Sequence, residues 1–181
     1  IEATGAPIDD GDSPGADSVC IVLPVGNDAT TTALAEGLDA RRTVAVDPLG
    51  LARHITLMTT PVTLPAFRDA ARATLGNVGL PLTVIHDSPG FVAQRVLAMI
   101  VNIGCDIAQQ RIATPDDIDG AVTLGLGYPK GPLAFGDALG ALTVLDILDA
   151  LHTFYRDPRY RPSPWLIRRA RLGVSLLTPE N

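Results

Sequence analysis

Cysteine is scarce in this sequence: two residues in 181, Cys20 and Cys105, lie far apart. No CxxC, no HExxH and no Cys/His cluster occurs, so neither a zinc site nor a disulfide framework is expected, and no metal site of any kind is assigned. A reducing compartment, the cytoplasm, fits this usage best. Long apolar runs are missing too. The longest, Val96 to Val101, falls far short of the roughly 20 residues that a membrane-spanning helix needs, so no membrane partner is expected. The first residues show no basic stretch leading into an apolar one, which argues against a signal peptide. Positive charge is the minority sign, with 14 Lys and Arg against 20 Asp and Glu and a net charge of −6. Lysine occurs once, at Lys130. A nucleic-acid partner needs a basic face for phosphates, so none is expected. Glycine loops that cradle phosphate are also lacking, both GxxxxGK[ST] and GxGxxG. The nearest approach, Gly125-Leu126-Gly127, follows a helical stretch, contains Pro129 and has Lys130 at the third glycine position, so it reads as a connection.

What is present is a foldable chain. Apolar residues make up 46% and charged ones 19%, which excludes disorder as an overall description. The length suits one domain, or a small domain with an incomplete neighbour. The chain opens on Ile1 without a methionine. Its first stretch, residues 1–16, is rich in Gly, Pro, Asp and Ala and reads as an exposed connector, so a piece of a longer protein is expected.

The first half alternates. Ser18 to Leu23, Thr43 to Val46, Ile55 to Thr59 and Leu82 to Ile85 are short apolar runs rich in β-branched residues and predict strands. Thr30 to Leu38, with Asn27 or Asp28 near its cap, and Leu64 to Leu75, with Pro65 in its first turn, predict helices. This is the pattern of an α/β layer, at about half the size of a doubly wound domain.

After Pro89-Gly90 the texture becomes helical. Phe91 to Arg111 carries Arg95, Asn102, Asp106 and Gln109 as a narrow polar stripe, the rest of the arc being apolar. Such a helix is central to a bundle or covered by a second subunit. Thr114-Pro115-Asp116-Asp117 supplies a cap, a first-turn proline and two acids, for a helix running to about Leu124. A loop over residues 125–132, one helix over Phe135 to Tyr155, and a last helix from Trp165 to Leu172 behind Ser163-Pro164 complete the half.

Several residue groups suggest chemistry, and each has a plainer role. His86, Asp87 and Ser88 are consecutive, and neighbouring side chains on an extended backbone diverge, so they form a turn rather than a triad. His54 and His152 have no evident partners. Arg156, Arg159, Arg161, Arg168, Arg169 and Arg171 crowd the C-terminal end, and a solvated basic end is favoured over a phosphate site. Asp116, Asp117 and Asp119 read as helix capping rather than as metal ligands.

At Ser88-Pro89-Gly90-Phe91-Val92-Ala93-Gln94-Arg95 the sequence resembles the signature that opens the C-terminal domain of 3-hydroxyacyl-CoA dehydrogenases. The likeness continues through Asp116-Asp117-Ile118-Asp119, the loop from Gly125 to Pro132, Asp137 before Gly140, and Arg161-Pro162-Ser163-Pro164. It marks Pro89, Gly90, Phe91, Arg95, Asp119, Gly127, Pro129, Gly131, Pro132 and Asp137 as structural motif residues. In the N-terminal half Asp47-Pro48 and Thr60-Pro61 match two family landmarks at the same separation. That alignment puts Val44 at the position of the family's catalytic His and Thr56 at that of the Glu holding it. Pro24 falls near the family's active-site Ser, and Gln94 stands at the position of an Asn supporting the substrate carbonyl.

The resemblance implies an α+β architecture: a partial Rossmann-like mixed sheet followed by an all-α dehydrogenase domain, like the C-terminal domain of 6-phosphogluconate dehydrogenase. The expected division is 1–16 connector, 17–88 α/β segment and 89–175 helical domain. It further implies a parent that uses NAD to oxidise (S)-3-hydroxyacyl-CoA to 3-oxoacyl-CoA in fatty-acid metabolism. With no catalytic residue intact and no cofactor loop, this chain is expected to bind no NAD. It looks like the second, degenerate copy of a duplicated bacterial member. Its expected partners are the N-terminal catalytic half of the same chain and a second copy, forming a homodimer through the helical domain, with acyl-CoA engaged only through the parent. Two other readings stay open. In one, the chain is a catalytic part completed by a missing N-terminal region. In the other, it is the helical domain of a different two-domain dehydrogenase.

Overall fold

The computed structural model describes residues 5–9, 13–51 and 53–180. The chain divides into two compact units, Ile1–Ala93 and Gln94–Asn181. Part of the expected connector, residues 1–4 and 10–12, lies outside the described residues. Its described part, 5–9 and 13–16, contains neither helix nor strand. Asp9 accepts hydrogen bonds from the Gly15 amide at 2.7 Å and the Ser18 hydroxyl at 2.8 Å. Arg42 ties the same segment down by donating to the carbonyls of Pro14 and Ser18, each at 3.1 Å, and of Gly15.

The first unit is a four-stranded sheet in the order β1-β2-β3-β4. The strands are β1 (Cys20–Val22), β2 (Thr43–Val46), β3 (Ile55–Thr59) and β4 (Leu82–His86), with helices α1 (Ala29–Ala35) and α2 (Pro65–Gly76). β1 and β2 are parallel, as are β3 and β4, while β2 and β3 are antiparallel with Val44 opposite Thr59 and Val46 opposite Leu57. The sheet is therefore two βαβ units joined through one antiparallel pair. Val44, Val46, Ile55 and Leu57 pack with Ala71 and Leu75 of α2 on one face. Val22, Ala45 and Met58 pack with Ala29 of α1 and with Phe91 on the other. Burial on both faces is why these strands read as continuous apolar runs rather than as alternation.

The boundary between units falls a few residues beyond the expected one, and the reason is Phe91. It is 1% exposed and belongs to the cluster on the sheet. Gly90 and Phe91 both take left-handed backbone angles, φ 72° and 47°, and the Gly90 amide donates to the Asn27 carbonyl at 3.3 Å. The helix expected from Phe91 consequently starts later: α3 covers Ala93–Gln109.

The second unit continues with α4 (Pro115–Leu126), α5 (Pro132–Leu139), α6 (Ala141–Tyr155), a 3₁₀ turn at Pro158–Tyr160 and α7 (Pro164–Leu172). Thr114 caps α4 and Ser163 caps α7, each accepting a backbone amide in its first turn. Three expectations need correction here. The single helix over 135–155 is two helices, because Gly140 sits at φ 91° and ψ 117° and breaks the run. The loop expected over 125–132 is only 127–131, since α4 runs to Leu126 and α5 begins at Pro132. Asn102 does not lie on an outer polar stripe of α3: it is 4% exposed, while Val96 and Ile103 are 51% and 57% exposed. No strand follows β4 among the described residues, and the α+β class expected from the sequence is the one observed. No helix among them is long and apolar enough to cross a membrane.

Candidate functional site

The turn from β1 into α1 is the place in the first unit where an α/β sheet would present helix amides to an anion. Here those amides are already taken. The Ala29 amide donates to Asp87 Oδ1 at 2.8 Å and the Thr30 amide to Asp87 Oδ2 at 3.3 Å, with the Thr30 hydroxyl on the same oxygen. The Thr31 amide donates to Asp28 Oδ1 at 2.6 Å. Burial pushes the Asp87 carboxyl up from its ordinary range and Asp28 adds to the rise, outweighing these hydrogen bonds. Two carboxylates thus close the one helix start that follows β1. At the other βα turn, α2 starts on Pro65 behind Leu64, and residues 60–64 hold no glycine. Neither turn fits the pyrophosphate of a dinucleotide, which needs close backbone approach and free amides.

The positions assigned to the catalytic pair are also placed. Val44 on β2 is completely buried among Val46, Ile55 and Leu57. Thr56 on β3 is next to Leu57, which shares the face of Val44, so alternation puts Thr56 on the opposite face, with Met58. The two positions are not brought together by the sheet. Pro24 lies just past β1, and Gln94 is fully buried in the first turn of α3.

In the second unit the motif residues hold helices to one another. Asp119 on α4 accepts the amides of Leu133 and Ala134, both at 2.8 Å, and so caps α5 instead of its own helix, where the sequence placed it. Asp137 on α5 accepts the Leu176 amide at 2.8 Å and the Ser175 hydroxyl. Gly127 ends α4 at φ 68°, Gly131 precedes α5, and Pro132 is buried at its first position, while Pro129 is exposed in between. Arg95 donates to the Tyr155 hydroxyl at 3.0 Å with its guanidinium 5.3 Å from the ring centre.

Sequence reasoning missed Asn102 and Asp87. Asn102 donates to the Arg161 carbonyl at 2.9 Å and accepts the Ser163 amide at 2.8 Å, so it fixes the entry to α7. A polar residue in the middle of an apolar helix was the available signal. The arginine-rich end is not uniformly solvated either. Arg169 is 5% exposed, stacks on Trp165 and donates to the Thr178 carbonyl at 2.9 and 2.6 Å. The Cys105 thiol is pushed up to about 12 by burial, with Asp106 adding to it, which removes it as a nucleophile at neutral pH. Among the described residues no three His, Cys, Asp or Glu side chains gather in a way that could hold a metal.

Residues 90–175 match the family described as 3-hydroxyacyl-CoA dehydrogenase, C-terminal domain. The chain is 36% identical over 156 residues to the 3-hydroxyadipyl-CoA dehydrogenase of Escherichia coli K12, covering 86% of this chain and 32% of that protein. Among solved structures it resembles a 3-hydroxybutyryl-CoA dehydrogenase from Escherichia coli K12, with TM-score 0.76, 33% identity and coverage of 86% of this chain and 32% of that one. The fold also matches (S)-3-hydroxybutyryl-CoA dehydrogenase from Ralstonia eutropha, with TM-score 0.79, 24% identity and coverage of 92% and 62%. The matched part spans about a third of the length of that Escherichia coli enzyme and of probable 3-hydroxybutyryl-CoA dehydrogenases from Deinococcus radiodurans and Bacillus subtilis.

Proposed function

We propose, on the premise that residues 90–175 belong to the 3-hydroxyacyl-CoA dehydrogenase family, that this chain is a non-catalytic part of such an enzyme. The parent oxidises (S)-3-hydroxyacyl-CoA to 3-oxoacyl-CoA. A base takes the proton of the 3-hydroxyl, and NAD, bound elsewhere in the parent, is the hydride acceptor. This chain supplies packing, dimerisation and enclosure of the acyl-CoA site. A degenerate second copy of the dehydrogenase unit accounts for a helical half that keeps its interlocking residues beside a sheet half that has lost its chemistry.

The observation that carries this reading is the pair Val44 and Thr56. The reaction needs a base of tuned pKa oriented by a carboxylate. Val44 holds no proton, its surroundings are aliphatic, and Thr56 lies on the other face of the sheet. The acids at the start of α1 work in the same direction, because they would repel the pyrophosphate of NAD.

The test is an assay of the purified chain with NAD and (S)-3-hydroxybutyryl-CoA, read as absorbance of NADH, together with calorimetric titration by NAD. No NADH and no binding heat are expected. Turnover would overturn the reading and favour a catalytic part that other regions of the parent complete.

A further inference from the structure

β1 lies at the end of the sheet, and no strand among the described residues pairs with its outer side. The Cys20 amide donates to the Arg42 carbonyl at 3.0 Å, and β1 runs parallel to β2 with Ile21 opposite Val44. Peptide groups alternate in direction along a strand, so Cys20 and Val22 address β2 while the N–H and C=O of Ile21 point outward. An apolar edge of this kind, with no lysine or proline in it, is a template for another strand. It opens on a groove of about 510 Å³ lined by four consecutive residues, Val19 to Val22. Successive side chains point to opposite faces, so lining by consecutive residues means that the groove follows the edge of the sheet rather than one face.

We propose that this groove takes an extended segment of another protein as a fifth strand, and that the segment is basic with apolar residues at alternate positions. The walls set that pattern. Val19 and Ile21 pack with Ala71 of α2 on one face of the sheet, and Val22 belongs to the cluster that Leu38 joins on the other. Ala71 and Leu38 also line the groove, so an added strand meets apolar surface on both sides. Its backbone would pair with Ile21, and its alternate side chains would lie against α2.

Charge selects the occupant. Asp9, Asp17 and Glu36 line the groove, all three exposed, and among the described residues no Lys or Arg lines it. Arg42 reaches the same corner but is spent on the carbonyls of Pro14, Gly15 and Ser18. Glu36 follows the last turn of α1, where a carboxylate meets the negative end of the helix and costs stability. The fold therefore gives no reason for an acid there, whereas a basic partner does. A second copy would bring the same three acids to the seam, so like charges oppose self-pairing across this edge.

The probes are two end-capped hexapeptides, one alternating lysine with valine and the other glutamate with valine, titrated into the chain and followed by fluorescence anisotropy and by amide hydrogen exchange. The lysine peptide is expected to bind about tenfold tighter than the glutamate peptide, and added salt should narrow the gap. Bound lysine peptide should slow exchange of the Ile21 amide about tenfold, since a paired edge amide is protected. Mere adhesion to the acids would leave that amide as it was. D17K/E36K, at two exposed positions, should reverse the preference while leaving the melting temperature in place. The proposal is overturned if the two peptides bind alike, if Ile21 exchanges unchanged when the peptide is bound, or if D17K/E36K keeps the original preference. Protection of Ile21 that grows with the concentration of the chain alone would assign the edge to a second copy and overturn it too. None of this rests on the dehydrogenase reading, and the activity assay above reports nothing about it.

Discussion

The carboxylate of Asp119 stands where a side chain on Gly131 would have to go. A Cβ built on Gly131 would lie 2.2 Å from Asp119 Cγ. Gly131 is the residue before α5 and offers no capping side chain, so Asp119 reaches across from α4 and takes the amides of Leu133 and Ala134 instead. The glycine and the acid are two halves of one helix cap. The φ of Gly131, −72°, is ordinary. Glycine is required there by space, whereas at Gly127, where φ is 68°, it is required by backbone angle.

Gly131→Ala should therefore cost about 2–4 kcal/mol, as overpacking and a lost cap together do. Gly127→Ala should cost about 1–2 kcal/mol from the left-handed angle alone. The double variant D119A/G131A should be no more stable than Gly131→Ala, because the Cα and Cβ of residue 119, which alanine keeps, each stand 2.3 Å from the new Cβ. Urea unfolding of the three variants is the measurement, and a double variant that recovers the loss would show that the carboxylate alone blocks the position.

Asp87 should show an acid-range signature. Its folded carboxyl titrates above the ordinary Asp value of 3.8 because burial disfavours its charged form. The fold therefore prefers protonated Asp87 more than the unfolded chain does. Its contribution is most favourable at low pH and declines as pH rises from 3.8 to the raised value, then stays level. Carboxyl carbon shifts followed against pH should give Asp87 a midpoint above 3.8, and Asp87→Asn should remove that segment of the stability profile. A midpoint at or below 3.8 would contradict the burial argument.

Both thiols should be silent in the folded protein. Cys20 and Cys105 are buried, and Cys105 titrates at about 12. A thiol-disulfide reagent at pH 8 should label neither until denaturant is added, and rapid labelling of Cys105 in native buffer would be inconsistent with its place in α3.

A histidine at Val44 and a glutamate at Thr56 should not form a catalytic pair. In V44H/T56E the new imidazole faces the aliphatic cluster and the new carboxylate the other side. The histidine should be destabilising by about 2 kcal/mol or more, as a buried polar group without a partner is. Its pKa by NMR should be the same in V44H and V44H/T56E, and a rise caused by the glutamate would show that the two positions do meet.

Val96 and Ile103 lie two turns apart on one face of α3, more than half exposed. A dimer through the helical unit would cover them, so sedimentation at tens of micromolar should report a dimer that V96D/I103D dissociates. A parent chain already monomeric would end the proposal of pairing through this face.

Much of this fold is legible in the sequence where the cause is local. The runs at 43–46 and 55–59 predict their strands residue for residue, and Thr114, Ser163 and Asp28 announce the helices that they cap. What sequence does not display is a partner far along the chain. Asn102 binds backbone groups some sixty positions away, and Asp87 caps a helix that begins 58 residues before it. The break at Gly140 is hidden for another reason: apolar periodicity continues across it, and a glycine inside a helical pattern is common enough to be passed over. At the candidate site the identities of Val44, Thr56 and Gln94 are read directly from the sequence. The opposite facing of Val44 and Thr56 required the strand register.

The strands of the sheet stand in space in the order in which they occur in the chain. No strand has to be inserted between two earlier ones, and each pairs with a neighbour that has just been synthesised. Closing each pair joins segments separated by one helix or one turn, so the entropy lost per closure is small. The antiparallel pair, with Val46 opposite Leu57, is the most local of the three, and each parallel pair closes only after its helix has been crossed. During translation the sheet can therefore zip up strand by strand, and residues 20–86 can be in place before the helical half has left the ribosome.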